Sequence, residues 1–126
     1  MNCGQYSVPA LVIHLPDDKH PLGALDMSRL ETILAESEKR TVNAAFENLN
    51  NLDNLSAMLS RFPSPNAGYC YDSCHHFNFS HGIDLLKPYG HCRTALHLQD
   101  NGGTHNQHQL PPDGKIDWQD VMQKSR

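Results

Sequence analysis

The chain has 126 residues, 38% of them hydrophobic and 19% charged, with a formal net charge of -4. That length holds one domain with a real core, read here as a single unit over residues 1–126, and the composition is that of a soluble globular chain rather than a disordered or membrane-bound one. Nucleic acid is not the expected partner, because its binders gather Lys and Arg into a basic patch, and here those residues are scattered.

No apolar run approaches the roughly 18–20 residues of a membrane span. The start, Met1-Asn2-Cys3-Gly4-Gln5, lacks the basic and apolar segments of a secretory signal. The four cysteines, Cys3, Cys70, Cys74 and Cys92, are spaced neither as a disulfide framework nor as a paired zinc knuckle. A reducing, cytoplasmic location fits them.

In chain order, Ala10 to Leu15 is a short apolar run with β-branched residues, predicted as a strand that ends at Pro16-Asp17-Asp18. A helix follows from about residue 26 to 40, with Ser28-Arg29-Leu30-Glu31 as its capping box and Met27, Leu30, Ile33 and Leu34 at helical spacing. Val42 to Glu47 is the second strand. The second helix takes Asp53 as N-cap and places Leu55, Met58, Leu59 and Phe62 on one side, and Pro63 and Pro65 stop it. Ala67 to Asp72 is the third strand. Ile83 to Lys87 reads as a short helix ended by Pro88 and Gly90, and Arg93 to Leu98 as the fourth strand. A polar, Gly-rich loop runs from Gln99 to Lys115, and a last helix begins at Asp117. The order β-α-β-α-β-α-β-loop-α implies a parallel sheet with right-handed crossovers, at about 30 residues per βαβ unit.

The strands end on His14, Glu47, Asp72 and His97. Parallel α/β folds carry their active sites at the carboxyl ends of the strands, and a buried apolar strand has no structural need for a carboxylate or imidazole in its last position. Four in four consecutive strands point to a site. Asp72-Ser73-Cys74-His75 adds an imidazole three residues after a carboxylate, placed to turn toward the same ion. Mixed imidazole and carboxylate donors suit Zn²⁺ or Mn²⁺, with Mg²⁺ or Co²⁺ also accepted. A structural zinc on Cys70, Cys74 and a histidine is the competing arrangement; Cys70 falls mid-strand and reads better as a small apolar residue. Nine histidines are present in all. His20, His76, His81, His91 and His105 read as surface residues, while His108 follows a Gly-rich turn that could fold back over the site.

The segments Val12-Ile13-His14-Leu15, Phe46-Glu47-Asn48-Leu49, Tyr71-Asp72-Ser73-Cys74-His75, Leu96-His97-Leu98-Gln99-Asp100-Asn101 and His108 through Trp118 together resemble the xylose-isomerase-like TIM-barrel superfamily. That superfamily includes sugar-phosphate isomerases and epimerases and the type-IV apurinic endonucleases. The resemblance implies an α/β fold that is a partial (β/α)8 barrel holding strands four to seven, since a whole barrel takes about 250 residues. It implies Glu47 as metal ligand and acid/base residue, and Asp72, His97 and His108 as further metal ligands. His75 is placed near substrate or a second metal. His14 matches a zinc ligand of the endonuclease branch and a pocket-lining residue of the isomerases. Asn106 stands where the superfamily's Asp-x-His loop motif has aspartate, which removes one negative charge.

The activity so implied is isomerisation or epimerisation of a sugar or sugar phosphate, with a divalent metal stabilising an enediolate and a glutamate moving the proton beside the carbonyl. The second glutamate of the epimerases belongs to a later strand, so weak or no turnover is expected of these strands alone. An endonuclease-like DNA-repair fragment and a non-catalytic metal-binding remnant are the alternatives. Two open sheet edges invite self-association.

Overall fold

The computed structural model describes residues 3–16 and 20–126. The turn expected at Asp17-Asp18 and the first two residues of the chain lie outside the described residues. Four strands, β1 (Ala10–Ile13), β2 (Asn43–Glu47), β3 (Ala67–Asp72) and β4 (Arg93–His97), form one sheet in the order β1-β2-β3-β4, parallel throughout. Helices α1 (Ala24–Lys39), α2 (Leu52–Arg61), α3 (Ser73–Phe79) and α4 (Leu86–Tyr89) lie in the connections, and α5 (Trp118–Lys124) follows β4. The sheet curls, bringing β1 and β4 toward each other across its concave side. The result is half of a (β/α)8 barrel, as the alternation of elements predicts.

Side chains alternate across a strand, so each strand has a helix-facing and a concave side. Ala44, Phe46, Tyr69 and Tyr71 enter the main core with Leu30 and Leu34 of α1, Leu55 and Met58 of α2 and Val121 of α5. Phe46, Tyr69 and Met58 are fully buried, and truncating Phe46 to alanine would cost about 3–5 kcal/mol. The intervening residues Ala45, Glu47, Cys70 and Asp72 point to the concave side and are equally buried. Gly68 is required at its position: a Cβ there would overlap the Thr94 side chain, where the β3–β4 register shifts between Tyr69 and Cys70.

Several element ends differ from expectation. β1 stops at Ile13 and β4 at His97, and β2 starts at Asn43, one residue late. α1 begins at Ala24, because Gly23 is its N-cap and donates its N–H to Asp26 Oδ2 at 3.0 Å; the Ser28 box lies inside the helix, where the Ser28 carbonyl accepts from the Thr32 hydroxyl. α2 is capped by Asn51, whose Oδ1 accepts from Asn54 N at 3.1 Å, so Asp53 sits in the first turn instead. The short helix expected at Ile83 to Lys87 and ended by Pro88 begins three residues later, as α4 at Leu86–Tyr89, and Pro88 lies within it. Proline is tolerated there because first-turn N–H groups have no intrahelical acceptor. α3 is an element the sequence pattern did not predict.

Candidate metal centre

Glu47, Asp72 and His97 are the last residues of β2, β3 and β4, and His14 immediately follows β1. Asp72 is also the N-cap of α3: its Oδ1 accepts from His75 N at 2.7 Å. Capping turns the strand directly into the helix, so the His75 ring returns to the carboxylate three residues back. Three imidazoles converge on the Glu47 carboxylate as a result, with Asp72 beside them. Glu47 Oε1 is 2.9 Å from His75 Nδ1, and Oε2 is 3.0 Å from His14 Nε2 and 3.4 Å from His97 Nδ1. Asp72 Oδ2 is 3.6 Å from His97 Nδ1, and Oδ1 is 3.8 Å from His75 Nδ1. Glu47 and Asp72 are 2% and 1% exposed, at the floor of an open depression of about 600 Å³ lined also by Gln99, Asn106 and His108.

A layer of neutral amides holds this arrangement. Asn48, fully buried, accepts from Asp72 N and the Tyr69 hydroxyl and donates to the Asp72 carbonyl, tying the end of β2 to that of β3. Gln99 donates through Nε2 to Asp72 Oδ2 at 2.7 Å, and its Oε1 meets His108 Nδ1. Asn106 Nδ2 lies 3.1 Å from His75 Nε2. The loop carrying Asn106 and His108 is closed by the Asp100–Gln109 antiparallel bridge and by Asp100 itself. That buried carboxylate accepts from Trp118 Nε1 at 2.6 Å, Asn101 N at 2.7 Å and Ile116 N at 3.1 Å. A Cβ on Gly114 would strike the Asp100 carboxylate, which is why a glycine stands there. His108 itself has φ 51°. That left-handed conformation costs a non-glycine residue about 1–2 kcal/mol, and such strain gathers at functional loops.

Burial would raise the Glu47 carboxyl, but contact with His75 and the charges of His97 and His14 outweigh it and hold it at about 2. Asp72 moves up instead: its burial and the neighbouring Glu47 charge exceed the help of the His75 N–H. His75 is raised, with the Glu47 and Asp72 carboxylates overcoming its burial. The cluster sets two buried carboxylates against three imidazoles, and both are donor types that a divalent cation accepts.

The donors fit a divalent metal. Ligand atoms of Glu47, Asp72 and His75 lie within 4.8 Å of one another, as do those of Glu47, Cys70 and His97. His75 Nδ1 is buried and, although 2.9 Å from Glu47 Oε1, has no hydrogen-bond partner. A buried imidazole nitrogen beside two carboxylates is a donor type that a divalent cation accepts. Its tautomer depends on the orientation of the Asn106 amide, which can present either N–H or oxygen to Nε2.

Of the residues expected at the site, the structure brings Glu47, Asp72, His75, His97 and His14 into direct contact. His108 joins through Gln99, and Asn106 through His75. His76, expected on the surface, is half-buried on α3 and bonded to the Tyr71 hydroxyl and the Ile83 carbonyl, outside the lining of the site. Cys74 packs against Asn101 and Asn106 rather than beside Cys70 in a zinc group. Sequence reasoning missed Gln99 and Asn48. The signal for Gln99 was its place two residues beyond His97, on the same side of extended chain; Asn48 gave none.

Parallel strands with carboxylates and imidazoles at their carboxyl ends define a partial α/β barrel whose candidate site lies at the strand ends. The chain belongs to the xylose isomerase-like TIM barrel family, whose pattern it matches over residues 3–124. It is 34% identical over 95 residues to the uncharacterized protein y4fM of Sinorhizobium fredii, an alignment covering 70% of this chain and 30% of that protein. Its fold is similar to a D-tagatose 3-epimerase-like protein (TM-score 0.77, 19% identity, 97% of this chain and 52% of that one). It is similar too to the 3-keto-D-glucoside 4-epimerase YcjR of E. coli (TM-score 0.75, 12% identity, 97% and 53%). The chain thus spans about half the length of these solved structures, and at such identities the likeness shows the fold alone. No helix among the described residues is long and apolar enough to cross a membrane.

Proposed function

We propose that the concave site binds one divalent cation, Mn²⁺, Zn²⁺, Mg²⁺ or Co²⁺, and serves isomerisation or epimerisation of a sugar or sugar phosphate. The observation that carries this reading is the convergence of His14, His75 and His97 on the buried Glu47 carboxylate beside Asp72. Glu47, Asp72 and His97 are the principal ligands, with His108 reaching the same opening. When bound, the metal supplies charge stabilisation for the two oxygens of an enediolate. His75 and His14 flank Glu47 and orient it, and Asn106 fixes the His75 ring. Glu47 stays ionised at neutral pH and takes the proton from the carbon beside the carbonyl.

Among the described residues Glu47 is the one carboxylate in place to move that proton, since Asp72 is engaged by Gln99 and the α3 cap. Exchange of the substrate proton with solvent should therefore outpace its inversion. The test is deuterium incorporation from heavy water into a panel of ketoses and ketose phosphates with Mn²⁺ present. Incorporation that is lost in Glu47→Gln supports the reading, and no incorporation into any of the panel contradicts it.

An endonuclease-like activity is favoured by a single contact, His14 to Glu47 at 3.0 Å, and opposed by the net charge of -4. The four cysteines are free, in keeping with the reducing cytoplasmic location we assign. The open edges of β1 and β4 are, on this reading, closed by strands of a second copy.

A further inference from the structure

The concave side of β3 carries two donors, Asp72 at its end and Cys70 two residues earlier. Cys70 pairs across the sheet with Glu47, and Asp72 with His97. Paired positions on neighbouring strands present their side chains to the same face. A thiol therefore lies under the mouth of the barrel, with its sulfur, a Glu47 oxygen and a His97 ring nitrogen within 4.8 Å of one another. We propose that Cys70 is a sulfur ligand at the floor of this site, so that a thiophilic divalent cation, zinc or cobalt, is held by Glu47, Cys70 and His97 in preference to magnesium or manganese. This rests on the reading of the site as a metal centre and adds to it a donor of a different chemical class.

The free groups point the same way. His97 Nδ1 approaches Glu47 and Asp72 only at 3.4 and 3.6 Å, and its side chain is 44% exposed, so its ring can turn onto an ion. His75 Nδ1, on a residue 7% exposed, lies 2.9 Å from the other oxygen of the same Glu47 carboxylate. Zinc bonds of about 2.0–2.3 Å in a tetrahedral set place ligand atoms roughly 3.5 Å apart. From separations of at most 4.8 Å the triad reaches that spacing by closing at most about 1.3 Å, through His97 ring rotation and small shifts of the Glu47 and Cys70 side chains. Coordination breaks the Cys70 S–H bond and forms the metal–sulfur bond, and the proton leaves to solvent with no change of oxidation state. Magnesium and manganese prefer oxygen and do not draw out a thiol proton, whereas zinc and cobalt do.

The test is a titration of the purified protein with cobalt(II) under reducing, oxygen-free conditions. The visible ligand-field bands report binding, and the ultraviolet thiolate-to-cobalt band reports sulfur. We expect both to saturate together at one equivalent. In Cys70→Ala and Cys70→Ser the sulfur band should vanish while the ligand-field bands remain, and preference for zinc over manganese should fall at least tenfold. Cys74→Ser should keep the sulfur band. Cobalt bound without a sulfur band in the unaltered protein, a result independent of how any variant folds, overturns the role of Cys70 and leaves the carboxylate–imidazole site standing. A sulfur band that persists in Cys70→Ala also overturns it. No cobalt binding at all overturns both this inference and the proposed metal centre.

Discussion

Gln99 Nε2 donates to Asp72 Oδ2 at 2.7 Å while its Oε1 engages His108. One amide thus fixes the carboxylate at the end of β3 and the histidine of the β4–α5 loop. Partners of this kind orient ligands, and removing one costs about 10–100-fold in metal affinity. Gln99→Ala is expected to weaken Mn²⁺ binding by at least about tenfold in calorimetry with the fold kept; unchanged affinity would remove Gln99 from the site.

Asn106 faces His75 Nε2 from the loop. A carboxylate there would accept the Nε2 proton, leave Nδ1 unprotonated toward Glu47 and add a negative charge. Asn106→Asp should therefore tighten divalent-metal binding. The same calorimetric titration checks this, and equal or weaker binding contradicts it.

The loop depends on Asp100. Its burial raises the carboxyl, but the Trp118 indole and the backbone N–H groups of Ile116, Asn101 and Gly114 more than offset this and lower it. A depressed folded value means the stabilisation is full above the ordinary carboxylate range and disappears as pH falls through the folded value. Trp118→Phe leaves a charged acceptor short of a donor, so it should cost about 1–3 kcal/mol at neutral pH. The gap to the unaltered protein should shrink below about pH 4. Thermal unfolding across pH measures both; a gap that grows in acid would show the sign to be wrong.

β1 and β4 are the outer strands of the sheet, and Leu11 and Leu96 on them are 44% and 42% exposed. Unpaired edges with exposed leucines favour association. Light scattering should show a concentration-dependent dimer that Leu96→Lys weakens. A clean monomer at all concentrations would exclude closure by a second copy.

The strand ends were legible because each pairs a buried apolar run with a final polar residue, a combination the parallel sheet explains only by placing that residue at a site. Glu47, Asp72 and His97 follow from that alone. α3 was not legible: Ser73-Cys74-His75-His76-Phe77-Asn78-Phe79 contains no strong helix former and depends on the Asp72 cap. The start of α1 was misplaced because Ser28 and Glu31 imitate a capping box, while Gly23 and Asp26 provide the real one. Cys70 is as buried as a small apolar residue should be, but its neighbour Glu47 is set by strand register, which no local pattern encodes. Gln99 likewise acquires its partners only when the loop closes on Asp100 and Trp118.

Manganese binding, measured by calorimetry on the purified protein and on Asp72→Ala, decides whether the strand-end donors hold a metal. One bound equivalent is expected in the unaltered protein, and binding weaker by at least about a hundredfold in the variant. No binding in the first, or the same affinity in both, would contradict the proposed metal centre.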